Sequence, residues 1–325
     1  AIVDVEPRSR SYATVVHTVP VGSRGNEPHG LGPARADGRL LGAGVLSSRI
    51  FAFDVRSPRE ARLVNVETGG PTWTYQSPMN VVGRRRGPLF ATCPDRTRYR
   101  GTPRELLDAP GGLVLLDPVG RAVAELSGAS KQARAFIVAP TDGVVVPGAK
   151  RLVTTNRGHG VSPTTVTGFM PGIAVQVWHV RERRLMATRV LEVGPRGDEN
   201  LGPDAIASMH ARPVVFVATA DGGGLYVASF VGGTMPAFRL VHDFGRGSRP
   251  SALVVTPDDR HLVAALAGTG EIVVFDLANP HAPRRVDDED LPGDDSAGPG
   301  AIAVSADGSR IAVATYGIDV PTLRE

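Results

Sequence analysis

Short apolar strands, each closed by a polar residue, recur along this chain at a nearly fixed step. Their last residues, Asp4, Asp54, Asp117, His179, Ser229 and Asp276, lie 50, 63, 62, 50 and 47 positions apart. A polar turn and a return strand follow, as in SRIFAFDVRSPREARLVNVE, GGLVLLDPVGRAVAEL, GIAVQVWHVRERRLMATRVLEVG and GEIVVFDLANPHAPRRV. A period of about 50 residues marks a supersecondary unit that cannot bury its apolar faces alone and must stack on copies of itself.

Between these hairpins stands a second kind of pair: FIVAPTDGVVVPGAKRLVTTN, AIASMHARPVVFVATA, ALVVTPDDRHLVAALA and AIAVSADGSRIAVAT. Ser251 to Leu277 shows the join, with Pro257-Asp258 and Gly268-Thr269-Gly270 breaking three runs that are apolar at nearly every position. Strands of that kind need cover on both faces, which stacked small sheets supply. The expectation is an all-β chain, a β-propeller of four-stranded blades forming one domain over residues 1–325. The second kind of pair would be the inner two strands of a blade and the hairpin the outer two. The last inner pair has no hairpin after it and the first hairpin no inner pair before it. Joined, they close a ring of six blades if the chain is whole; trimmed ends would make seven. Thr102-Pro103-Arg104-Glu105 places a capping Thr, a Pro at the first helical position and a Glu three after the cap, which predicts a short helical insertion near 102–109.

Composition excludes several classes. The net charge is +3 and the pI about 9.3, but the cations are scattered apart from Arg84-Arg85-Arg86. With no aromatic residues interleaved, that triplet reads as a solvated loop, and no nucleic-acid partner is expected. Cys93 is the single cysteine, so an intrachain disulfide and a cysteine-based zinc site are excluded. No apolar run reaches a membrane span of about 18 residues, and no basic-then-apolar leader opens the chain. A removed leader leaves no trace; cytoplasmic placement is favoured over periplasmic or secreted. Asp287-Asp288-Glu289-Asp290 reads as a solvated acidic loop, lacking the spacing of a calcium-binding loop. Neither a G-x-S-x-G elbow nor a phosphate-binding G-x-x-x-x-G-K-[ST] occurs.

Asn26-Glu27-Pro28-His29, then LSSRIFAFDV, GGLVLLD, IAVQVWHVRERR, PDDRHLVAALAGTGEIVVFDLANP and SADGSRIAVATYG, fall in an order and register that resemble the selenium-binding protein family, which includes the methanethiol oxidases. The resemblance covers nearly the whole chain and identifies a divergent member. It implies about seven blades and, for the oxidases, a histidine-held copper site that oxidises a small thiol to an aldehyde, sulfide and peroxide. Residue by residue the match is incomplete. Where the family pairs two histidines this chain has His29-Gly30. Tyr75 to Met79 stands where histidines and a cysteine are expected, and the family's CxxC is absent. His210 is kept, but Ala205 replaces an acidic residue upstream and Ala252 another.

On that resemblance the metal ligands are His29, His210, Glu27 and His159, with Met79 a soft candidate for Cu(I), since imidazole and thioether suit copper. His29 and His210 sit before or within inner strands, whose side chains face a central channel that would take a small-molecule substrate. The plain alternative for each is a satisfied polar group lining that channel. His17, His179, His242, His261 and His281 read as turn or surface residues. A second class of function is lactonase-type hydrolysis, in which Glu27, Asn80, Asn156 and Asp204 converge on calcium or another hard divalent ion. A third is a propeller without chemistry that binds a protein partner or a small molecule through one face.

Overall fold

The computed structural model describes residues 2–3, 10, 15–21, 30–44, 48–67, 69–70, 73–74, 78–95, 110–127, 140–148, 150–156, 172–193, 205–219, 222–231, 236–291 and 298–315. Their regular structure is β-strand throughout, apart from a 3-10 turn at Pro58–Glu60. The chain divides into two compact units, residues 1–143 with 180–186, and residues 144–179 with 187–325.

The first unit opens on the pair β1 (Ile2–Val3) and β2 (Val15–His17), with His17 Nε2 lying 2.6 Å from the Ala61 carbonyl. Its first antiparallel sheet runs β3 (Gly30–Leu31), β4 (Arg39–Gly44), β5 (Arg49–Asp54) and β6 (Arg62–Glu67), in that order. A small pair, β7 (Gly69–Gly70) and β8 (Trp73–Thr74), precedes β9 (Asn80–Gly83), β10 (Leu89–Asp95), β11 (Pro110–Leu116) and β12 (Ala122–Ser127), antiparallel from neighbour to neighbour. Leu41, Ile50, Val81, Leu89, Val114 and Leu116 from these two sheets pack into one buried cluster. Each such side chain contributes roughly 1.5–3 kcal/mol on leaving water.

Residues of both units share β13 (Pro140–Val146) and β16 (Arg184–Val193); β14 (Arg151–Asn156) pairs antiparallel with β15 (Gly172–His179) in the second unit. That unit continues with two four-stranded antiparallel sheets and a final pair. The first sheet is β17 (Ala205–Ser208), β18 (Val214–Ala218), β19 (Gly224–Ser229) and β20 (Arg239–Asp243). The second is β21 (Pro250–Val255), β22 (His261–Leu266), β23 (Glu271–Asp276) and β24 (Arg284–Asp290), and the pair is β25 (Pro299–Val304) with β26 (Ile311–Thr315). Met209, Phe216, Leu225, Leu262, Phe275 and Leu277 lie in the core between its two sheets.

The repeat has a local cause. Asp54 and Asp276 end the third strand of their sheets, and Asp117 directly follows one. Each carboxylate turns the chain by accepting an N–H two residues on: Arg56 at 3.3 Å, Ala278 at 2.8 Å and Val119 at 2.9 Å. An Asp side chain that caps its own turn replaces the sheet partner the backbone has lost. A second device closes the first hairpin of two repeats. Thr256 Oγ1 donates to Asp258 Oδ1 at 2.6 Å and accepts from His261 N, and Ser305 Oγ does the same with Asp307 and Arg310 N. These bonds hold the Asp258 and Asp307 carboxyls below the usual carboxylate range.

Within each unit the first strands of consecutive sheets lie against one another, β3 with β9, β17 with β21 and β21 with β25. One sequence expectation changes: the acidic run is strand β24, not a loop, and all its residues are exposed. As the fourth strand it pairs, among the described residues, with β23 alone, and charge suits an edge that water must cover. The predicted helix near 102–109 lies outside the described residues.

Candidate site at Asn80 and Asp142

Asn80 opens β9, and its backbone is fixed before its side chain is considered. Its N–H donates to Thr92 Oγ1 at 3.1 Å, and Met79 N–H donates to the Thr92 carbonyl at 2.8 Å. Thr92, fully buried opposite Asn80 on β10, donates its hydroxyl to the Thr141 carbonyl at 2.7 Å. That bond joins β10 to the start of β13 and brings the next residue, Asp142, beside Asn80. Asn80 Nδ2 donates to Asp142 Oδ1 at 2.9 Å, and Gly143 N–H donates to the same oxygen at 2.7 Å.

The two oxygens of Asp142 are therefore unequal. Oδ1 takes both hydrogen bonds; Oδ2 takes none from any described residue, and no described cation pairs with the group. Burial pushes its pKa up to about 6, outweighing the bonds from Gly143 and Asn80 that pull it down. Asp142 is half-buried rather than sealed from water; a partly desolvated carboxylate with no described countercharge is costly to keep, and such groups gather at functional sites.

Gly30 on β3 forms the other wall. A β-carbon there would lie 2.3 Å from Asn80 Oδ1 and 2.7 Å from the Met79 carbonyl oxygen, so only glycine admits this approach. Asn80 Oδ1 also accepts from Val81 N–H at 2.9 Å. Gly30, Asn80 and Asp142 thus stand together on the first strands of three repeats.

Of the proposed metal ligands, His210 lies among the described residues. It follows β17, in the exposed turn before β18; its ring Nε2 is 3.2 Å from the Val255 carbonyl and its N–H donates to Asp259. Glu27, His29, His159 and Asp204 lie outside the described residues, as does the side chain of Asn156. Met79 is half-buried beside Asn80. His242 is half-buried rather than on the surface, edge-on to Phe244 and Phe275 at 4.8 and 5.0 Å, and burial lowers its pKa. No three His, Cys, Asp or Glu side chains converge among the described residues.

No protein-family model matches the chain, and no curated protein matches it. Solved structures do. A hypothetical selenium-binding protein from Sulfolobus tokodaii matches at a TM-score of 0.73 and 18% identity, over 96% of this chain and 77% of its own. The periplasmic gluconolactonase of Pseudomonas aeruginosa matches at 0.54 and 18%, over 82% of this chain and 71% of its own. A putative 6-phosphogluconolactonase from Bacteroides uniformis matches at 0.54 and 15%, over 88% and 77%. The fold is a β-propeller. Identities this low establish shared architecture and carry no chemistry with them. In a propeller the first strand of each blade is the inner one, so Gly30, Asn80 and Asp142 belong to inner strands. Among the described residues no helix is long and apolar enough to cross a membrane.

Proposed function

We propose that this propeller is a hydrolase of small cyclic esters, assisted by a hard divalent cation held at Asn80 and Asp142. The observation that supports it is the half-buried Asp142 carboxylate, which among the described residues has no countercharge and keeps Oδ2 uncommitted, and whose pKa is raised by desolvation. Carboxylate and amide oxygens suit Ca²⁺ or Mn²⁺ better than copper. Asp142 Oδ2 and Asn80 Oδ1 would be the protein donors, with Glu27, three residues before Gly30, as a further carboxylate and water completing the shell. A cation there would supply Lewis acidity to an ester carbonyl. The chain's own part is orientation and proton control: Asn80 Nδ2 steers the carboxylate, Gly30 leaves room for the amide, and Asp142 holds a proton below about pH 6.

The test is calorimetric titration of Ca²⁺, Mn²⁺, Zn²⁺ and Cu²⁺ into the wild type and Asp142→Asn, beside a panel of lactones. A hard cation that binds the wild type, fails to bind the variant and is required for lactone cleavage supports the reading. Absence of binding by every ion overturns it and leaves a non-catalytic scaffold.

A second reading, a copper oxidase of a small thiol, draws on the likeness to the Sulfolobus tokodaii selenium-binding protein over 96% of this chain. His29, Glu27, His159 and His210 would be its ligands. For His210 to serve, its ring must leave the Val255 carbonyl. Stoichiometric copper that is lost in His29→Ala and kept in Asp142→Asn would replace the first reading by this one.

A further inference from the structure

The turn between β3 and β4 and the turn between β9 and β10 enclose an open depression of about 420 Å3, lined by Arg35, Asp37, Gly38, Arg56 and Arg85 among others. The lining holds three guanidinium groups and one carboxylate, and a second carboxylate, Asp54, pairs with Arg56. Arg35 is the most enclosed of the three, its side chain 19% exposed. Its Nη1 donates across to the Gly87 carbonyl at 3.1 Å, which ties the two turns together. Its Nε is buried without a hydrogen-bond partner among the described residues and stands 3.6 Å from Asp37 Oδ2, while Asp37 Oδ1 accepts from Arg39 N–H.

Arg56 is held by Asp54, through Nε at 2.9 Å and Nη2 at 2.5 Å. That fork fixes its plane and leaves Nη1 without a partner among the described residues. Its stem crosses Gly38, where a β-carbon would lie 2.0 Å from Arg56 Cγ. Gly38 has φ +76°, so glycine serves both the turn and the passage of the arginine. Arg85 is exposed, and its side chain makes no hydrogen bond or ion pair with any described residue. Two fixed guanidiniums and one free one, against the two carboxylates Asp37 and Asp54, form a cup that keeps one net positive charge, with Arg56 Nη1 and the Arg85 guanidinium uncommitted among the described residues.

We propose that this cup binds a phosphate group carried by a small soluble molecule. Guanidinium forks match the oxygens of a phosphate in pairs, and restraint of Arg35 and Arg56 before binding lowers the entropy lost on complexation. A depression of this size admits a sugar- or nucleotide-sized ligand. The site stands on different residues from Asn80 and Asp142, so its fate and that of the proposed hydrolase are separate.

The experiment is calorimetric titration of inorganic phosphate and pyrophosphate into the full chain, with Arg85→Glu, Arg35→Lys and, as a control on another exposed arginine, Arg181→Glu. Thermal melts confirm that each variant is folded; Arg85, lacking described partners, should leave the melt unchanged. The expected result is binding by the wild type and Arg181→Glu, weakened about tenfold or more in Arg85→Glu and severalfold in Arg35→Lys. Equal affinity in wild type and Arg85→Glu overturns the assignment, as does absence of binding at about 10 mM ligand, where even a weak millimolar site would fill. Two further arms test the source of the phosphate. Tighter retention on phosphatidylcholine vesicles doped with phosphatidic acid, or on a single-stranded oligonucleotide, than binding to pyrophosphate would overturn the soluble-molecule form of the proposal.

Discussion

The Asp259 carboxylate accepts the backbone N–H groups of both His210 and Ala211, at 2.6 and 2.8 Å, and so clasps the turn after β21 to the turn after β17. Asp259 holds this position at φ 60°, in the left-handed region. The matching residue of the following hairpin is Gly308, at φ +74° and with its added β-carbon 3.6 Å from Pro257 Cδ. The same place between adjacent turns is filled by a charged clasp in one case and bare contact in the other.

Replacing Asp259 by Gly relieves a backbone cost of roughly 1 kcal/mol but removes two charge-assisted bonds worth about 1.5–3 kcal/mol each before solvent repays part of the loss. A net destabilisation of about 1–3 kcal/mol is expected, with a smaller loss in Asp259→Asn. Urea unfolding at neutral pH measures it; a Gly variant as stable as the wild type would show that the clasp contributes nothing.

Asp142 should destabilise the folded protein at neutral pH. Its pKa is raised from 3.8 to about 6, so between those values the folded state holds more protons than the unfolded state, and stability falls as pH rises through that window. The full cost above pH 6 is about 3 kcal/mol as an upper figure. Asp142→Asn keeps an acceptor for Asn80 and Gly143 without the charge. It should therefore gain about 1–3 kcal/mol at pH 7.5 and lose that advantage near pH 4. Unfolding curves at the two pH values decide; an advantage independent of pH would mean that Asp142 is solvated.

Gly30→Ala should disturb the candidate site from its opposite wall. The methyl group meets Asn80 Oδ1 at 2.3 Å and a main-chain oxygen at 2.7 Å, and the second cannot swing aside as a side chain can. A loss of about 2 kcal/mol or more is expected, with divalent-cation binding weakened in parallel. Calorimetry with Mn²⁺ and a thermal melt on the same sample test both; wild-type values in each would remove Gly30 from the site.

The turn carboxylates act in the opposite sense to Asp142. Hydrogen bonds from Arg56 hold Asp54 well below the usual carboxylate range, and those from Thr256 and Ser305 do so for Asp258 and Asp307. Their contribution is present above the unfolded pKa near 3.8 and is lost as pH falls through the lower folded values. Thr256→Val and Ser305→Ala should therefore lower the melting temperature at pH 7 and matter progressively less in strong acid. Equal effects at pH 7 and pH 2 would argue that these hydroxyls serve packing alone.

The propeller was legible because its signals are local. An Asp that must cap its own turn appears at Asp54, Asp117 and Asp276 whatever the rest of the chain does, and the alternation of inner and outer pairs follows from it. The candidate site was legible by half. Asn80 stands out as an amide at the head of an inner strand, but Thr141-Asp142-Gly143 has the look of an ordinary turn. It is strand instead, and its meaning depends on Asn80, sixty-two residues away. An acidic residue inside an inner strand was the available signal, hidden by the Gly that follows. His210 shows the converse: a strand ending two residues sooner places it in a turn rather than along an inner strand.

Among the described residues strand β24 has a partner on one side of its backbone alone, and it carries Asp287, Asp288, Glu289 and Asp290. A strand from a second molecule approaching the other side must strip water from these carboxylates before it reaches the backbone, and charge on an edge strand opposes such addition. Arg284 and Arg285 head the same strand, with Arg285 Nη2 3.1 Å from Asp288 Oδ2. The cover of β24 is therefore water held by charges of both signs.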